Sequence, residues 1–206
     1  TYSYYSIGLW IGGYTGSSGS VSRIWNNIIY DFANSNGEGI DLDYNTGETA
    51  PTHYLYNNMV HNCGAGIYLY KGTAIAKNNI VSSSTDNWAM DVSWDGASTN
   101  NLSSQDDAPG TNARNYAAVN FADASNYDFR LAYADTGAKW YGENLTLDSQ
   151  TLAGMTMGTD IDGQARPATG VWDIGADQYQ ATPIYRSVGP SNTTALASSP
   201  GATLTI

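Results

Sequence analysis

The sequence predicts an all-β fold, a parallel β-helix in which short coils stack as a solenoid. Two motifs that recur in phase point there, together with a composition suited to strands and turns. The polar surface is built from Asn, Ser, Thr and Tyr beside 22 Gly, and charged residues make up only 13% of the 206-residue chain. That mix favours extended segments and tight turns and disfavours long helices.

The first motif is a bulky residue or Lys, two asparagines and an aliphatic. It appears as Trp25-Asn26-Asn27-Ile28, Tyr56-Asn57-Asn58-Met59 and Lys77-Asn78-Asn79-Ile80, with a fainter copy at Thr99-Asn100-Asn101-Leu102. The second asparagines fall at 27, 58, 79 and 101, in steps of 31, 21 and 22 residues. The second motif is a small residue and two aliphatics flanking a variable position. Its copies are Gly8-Leu9-Trp10-Ile11, Gly39-Ile40-Asp41-Leu42, Gly66-Ile67-Tyr68-Leu69 and Ala89-Met90-Asp91-Val92. A period this short does not suit a propeller blade, which needs about 40 residues or more. It suits one coil of a parallel β-helix, where each coil pairs with the next.

The alignment predicts two inward ladders, Leu9/Ile40/Ile67/Met90 and Ile11/Leu42/Leu69/Val92. Each such buried side chain is worth roughly 1.5–3 kcal/mol. Asparagine tolerates the left-handed region and bonds backbone at bends. Asn27, Asn58, Asn79 and Asn101 are therefore expected to form an internal amide ladder.

These repeats resemble those of right-handed parallel β-helix proteins of the pectate-lyase-like superfamily. Four later segments strengthen the resemblance: Val119–Asp123, Tyr127–Leu131, Asp160–Pro167 and Trp172–Tyr179. Their order is similar to the end of secreted bacterial β-helix proteins with an anchor-like C-terminal region. The resemblance implies a single-stranded right-handed β-helix with a short C-terminal strand or linker extension. Coils are expected over 1–125, C-terminal coils and the end of the helix over 126–180, and a linker or extra strand over 181–206.

Charge and cysteine content narrow the function. Eight Lys and Arg against 19 Asp and Glu give a net charge of −11, which disfavours nucleic acid. No apolar run is long enough to span a membrane. The single Cys63 excludes an intrachain disulfide and reads as a small buried hydrophobe. His53 and His61 read as turn or surface histidines. Composition, a start at Thr1 and the strand-like Leu204-Thr205-Ile206 suggest a piece of a longer extracellular or cell-surface polypeptide. Its coil ends are expected to meet a neighbouring subunit or the rest of its own chain.

The outward positions of the second motif are Trp10, Asp41, Tyr68 and Asp91, with Tyr70, Lys71 and Trp94 alongside. Trp10, Tyr68, Tyr70 and Trp94 could stack on sugar rings while Asp41 and Asp91 accept hydroxyls. Asp41, Asp91 and Lys71 are the catalytic candidates for a glycoside hydrolase or polysaccharide lyase. Such a face is also an ordinary solvated surface of a secreted protein. Asp41, Asp43, Asn45 and Glu48 imitate the start of a calcium loop without its glycine, leaving Ca²⁺ as the one cofactor to weigh. Asp160-Ile161-Asp162-Gly163 is a weaker candidate. The expected role is a structural or adhesive β-helix module that contacts glycans and associates end to end. The alternative is a polysaccharide-active enzyme.

Overall fold

The computed structural model describes residues 5–12, 19–43, 50–152 and 154–180. Of residues 149–151 only the backbone is described. After β1 (Ser6–Ile11), three rounds of three strands follow: β2 (Val21–Trp25), β3 (Ile28–Tyr30) and β4 (Gly37–Leu42); β5 (Thr52–Tyr56), β6 (Met59–His61) and β7 (Ala65–Leu69); β8 (Thr73–Lys77), β9 (Ile80–Ser82) and β10 (Asp86–Met90). β11 (Leu102–Ser103) begins a partial further coil. Each strand pairs in parallel with its counterpart one coil away. Three sheets result, in the orders β1-β4-β7-β10 (sheet I), β2-β5-β8 (sheet II) and β3-β6-β9-β11 (sheet III). The chain is an all-β stack of parallel coils.

The core lies between the sheets. Ile40, Leu42, Leu55, Val60, Ile67, Leu69, Ala74, Ala76 and Val81 are fully buried there, and Cys63 joins them. Glycine within β4 lets sheet I approach sheet III closely. A Cβ on Gly39 would lie 2.4 Å from Val60 Cγ1 and 2.5 Å from the Gly66 carbonyl. No side chain fits that approach.

The two asparagines of each bend divide the work. Asn26, Asn57, Asn78 and Asn100 adopt φ of 53–55°, the left-handed region that Asn tolerates. Asn27, Asn58, Asn79 and Asn101 point inward in one file. Asn58 Oδ1 accepts from the backbone N–H and Nδ2 of Asn27 at 3.1 and 2.9 Å. Asn79 Oδ1 does the same for Asn58, and Asn101 Oδ1 for Asn79, at 2.9–3.0 Å. Asn58, Asn79 and Asn101 are fully buried, so these bonds satisfy groups that water cannot reach.

The fourth rung differs from the expected alignment. Trp88 pairs with Ile67, Ala89 with Tyr68 and Met90 with Leu69. Trp88, not Met90, continues the Ile67 ladder; Trp88 is 3% exposed and Met90 58%. Asn87 takes the place expected for Ala89. A slip of two residues preserves the inward–outward alternation, so periodicity could not exclude it. Val92 packs partly buried against the core without extending the Leu69 ladder.

Residues 117–180 lie over the outer faces of sheets II and III. They include an antiparallel pair, β12 (Phe121–Asp123) and β13 (Asp128–Leu131), and one short helix, α1 (Thr146–Thr151). Phe129, Leu131, Ala138, Ile174 and Ala176 pack on Met59, Ile80 and Leu102 of sheet III. Leu145, Met155, Met157 and Trp172 pack on Tyr56, with Trp25, Tyr54 and Ile75 alongside. The outward asparagines hold this cover in place. Asn26 donates to Thr159 O, Asn78 to Glu143 O and Asn100 to Tyr141 O, at 2.7–2.8 Å.

Candidate functional site

With sheets II and III covered by residues 117–180, the outer face of sheet I is the open one among the described residues. Its register places Trp10 beside Asp41, Asp41 beside Tyr68 and Tyr68 beside Ala89. Asp91 follows β10, and the Tyr68 hydroxyl reaches it, donating to Oδ1 at 3.0 Å. Tyr68 thus lies beside Asp41 in register and hydrogen-bonds to Asp91. β4 and β10 are two strands apart, roughly 10 Å at the usual spacing.

The aromatic candidates separate. Trp10 is 49% exposed. Tyr68 and Tyr70 meet edge to face at 5.9 Å, and the Lys71 ammonium lies 4.4 Å from the Tyr70 ring centroid. Those four side chains share the face. Trp94 turns away from it, packing edge-on against Trp88 at 5.1 Å with its indole nitrogen buried.

Asp41 has the most altered carboxyl on this face. Burial, then the negative charge of Glu38 and Asp43, pushes its pKa up to about 7. Its protonated form donates a hydrogen bond to Glu38, whose own carboxyl is raised chiefly by burial. Asp41 Oδ1 is buried without a partner. Sequence spacing did not point to Glu38, because three residues along a regular strand change face. Gly39 and Ile40 both face the core, which interrupts that alternation and leaves Glu38 on the side of Asp41. Tyr68 is raised to about 12, mainly by burial and by its bond to Asp91.

The calcium candidates divide between described and undescribed residues. Asn45 and Glu48 lie outside the described residues, as do the 181–206 segment and Thr1–Tyr4. Among the described residues no three His, Cys, Asp or Glu side chains group as metal ligands. Asp160 Oδ1 accepts the backbone N–H groups of Asp162 and Gln164, and Oδ2 that of Gln178. Its oxygens serve the cover's own turns. Arg166, from the same segment, is buried and donates to the carbonyls of Gly175 and Ala176 at 3.0 Å.

The histidines are more enclosed than expected. His53 is 1% exposed, with Nδ1 2.6 Å from Ser22 Oγ. His61 is half-buried against Phe121 and Phe129. No helix of the described residues is long and apolar enough to cross a membrane. No protein-family model, curated protein or solved structure matches the chain.

Proposed function

We propose that this chain is an extracellular or cell-surface β-helix module of the pectate-lyase-like type, structural or adhesive in role, that contacts a glycan along sheet I. The observation that carries this is the composition of the open face. Trp10 and the Tyr68–Tyr70 pair offer ring faces to sugars, and Asp41 and Asp91 flank Tyr68 as acceptors for hydroxyls. Aromatic rings give contact area at little entropic cost, and the stacked strands hold them at fixed spacing. A polysaccharide panel tests this, read for binding and for new reducing or unsaturated ends. Binding without new ends is the expected result; no binding to any polysaccharide overturns it.

One observation favours catalysis as a second reading. A carboxyl near pKa 7 suits proton donation to a leaving oxygen at neutral pH. The rough 10 Å between the Asp41 and Asp91 strands exceeds the 6.5–9.5 Å typical of inverting carboxylate pairs. New ends that disappear in Asp41→Asn while binding persists would establish the enzymatic reading.

A further inference from the structure

Sheet I sets its rings between two lines of carboxyls. Strand pairing orders its open face into rows. Glu38 pairs with Ala65 and Ala65 with Asp86, giving one row across β4, β7 and β10. Asp41 pairs with Tyr68 and Tyr68 with Ala89, giving the next. Asp43 follows β4, Tyr70 and Lys71 follow β7, and Asp91 follows β10. Carboxyls therefore stand on β4 and β10 and at their ends, and the tyrosines stand at β7 between them. A sugar stacked on Tyr68 or Tyr70 lies one strand spacing, roughly 5 Å, from carboxyls on either side.

The negative charge reaches the ring itself, since Glu38 and Asp91 both help to raise the Tyr68 hydroxyl. Cations do not balance it. Among the described residues Lys71 is the one Lys or Arg in the segments that build sheet I, and its ammonium is held over the Tyr70 ring. Arg23 and Lys77 belong to sheet II, and Arg114, Arg130, Lys139 and Arg166 to later residues. Asp41, between Trp10 and Tyr68 in register, is 9% exposed, and its Oδ1 has no hydrogen-bond partner among the described residues. A buried acceptor without a donor calls for one from outside, and a sugar hydroxyl supplies it.

We infer that the glycan taken up on sheet I is uncharged, and that polymers carrying uronate carboxylates are turned away. This rests on glycan contact at sheet I, proposed above. Hydroxyls donate to the flanking carboxylates, so a neutral sugar gains from the same groups that a uronate meets as like charges. The repulsion acts over the Debye length, about 30 Å at 0.01 M salt and about 3 Å at 1 M, so it fades as salt rises. Stacking on the rings carries no such dependence.

The test titrates the full chain at pH 8, where Asp41 is past its value of about 7, with a panel of neutral and uronate polysaccharides. The tightest binder is expected to be neutral. The tightest neutral binder with primary hydroxyls then has them oxidised to carboxylates, and a portion of the product is methyl-esterified. The carboxylated polymer should bind about tenfold more weakly or worse at 0.01 M salt, and the gap should close toward 1 M. The methyl ester, which has the same backbone without the charge, should recover most of the affinity. Asp86 is exposed and takes no part in the ring contacts. Asp86→Lys should narrow the gap about threefold at 0.01 M salt and leave the neutral polymer within about twofold of its parental affinity. A uronate as the tightest binder, a gap indifferent to salt or to Asp86→Lys, or an ester as weak as the acid overturns the inference and leaves glycan contact standing. No binding to any polysaccharide overturns both.

Discussion

Asn58 Nδ2 donates to Asn79 Oδ1 at 2.9 Å across 21 residues of sequence, and both side chains are fully buried. Asn58 also donates to Ile24 O and accepts twice from Asn27. Asn58→Ala strands these partners and should cost about 2–3 kcal/mol in urea denaturation. Asn58→Asp should cost more at pH 7, where a charge enters the file, and recover in part at acid pH as the carboxyl protonates. A loss within about 0.5 kcal/mol for Ala would contradict the ladder.

The fourth rung has its own test. Trp88 is buried in line with Ile67, and Met90 is exposed. Trp88→Ala should destabilise by about 3–5 kcal/mol, and Met90→Ala by no more than about 0.5 kcal/mol. The reverse order would restore the alignment in which Met90 continues the Ile67 ladder.

The coils were legible in the sequence because the Asn-Asn bends and the aliphatic pairs keep phase. The register of β10 was not, since a two-residue slip moves no side chain to the other face. Trp94, expected at the edge of the glycan face, packs instead against Trp88 and the core, which the alternation along the strand did not indicate. The cover was harder still. Leu145, Trp172 and Ile174 carry no period, and the cover they belong to is bonded through Tyr141, Glu143 and Thr159 to the first asparagine of each bend, which reads in sequence only as a turn residue.

His53 should make the fold acid-sensitive. Burial pushes its imidazole down to about 4, against about 6.5 in the unfolded chain. Between those values the unfolded chain takes the proton and the folded chain does not. Stability is therefore complete above pH 6.5 and falls as pH drops toward 4, by up to about 3 kcal/mol. His53→Gln should flatten this part of the stability–pH profile; an unchanged slope would contradict the buried neutral imidazole.

Asp41 acts in the opposite sense. Its folded pKa of about 7 lies above the ordinary carboxylate value of 3.8. The folded chain holds this proton where the unfolded chain has released it. Its contribution is complete below pH 4 and lost as pH rises through 7. Asp41→Asn should be more stable than the parent chain at pH 8, and that advantage should vanish near pH 4. Equal pH dependence of the two chains would remove the raised carboxyl.

The open face is tested most directly by titrating the polysaccharide selected from the panel against three chains: the parent, Tyr68→Ala/Tyr70→Ala, and Tyr133→Ala. Tyr133 is 84% exposed and follows β13 in the cover, so it serves as the control aromatic. The expected result is parental affinity for Tyr133→Ala and a loss of about tenfold or more for the double variant. Parental affinity in the double variant, with the fold intact by circular dichroism, would contradict glycan contact on sheet I.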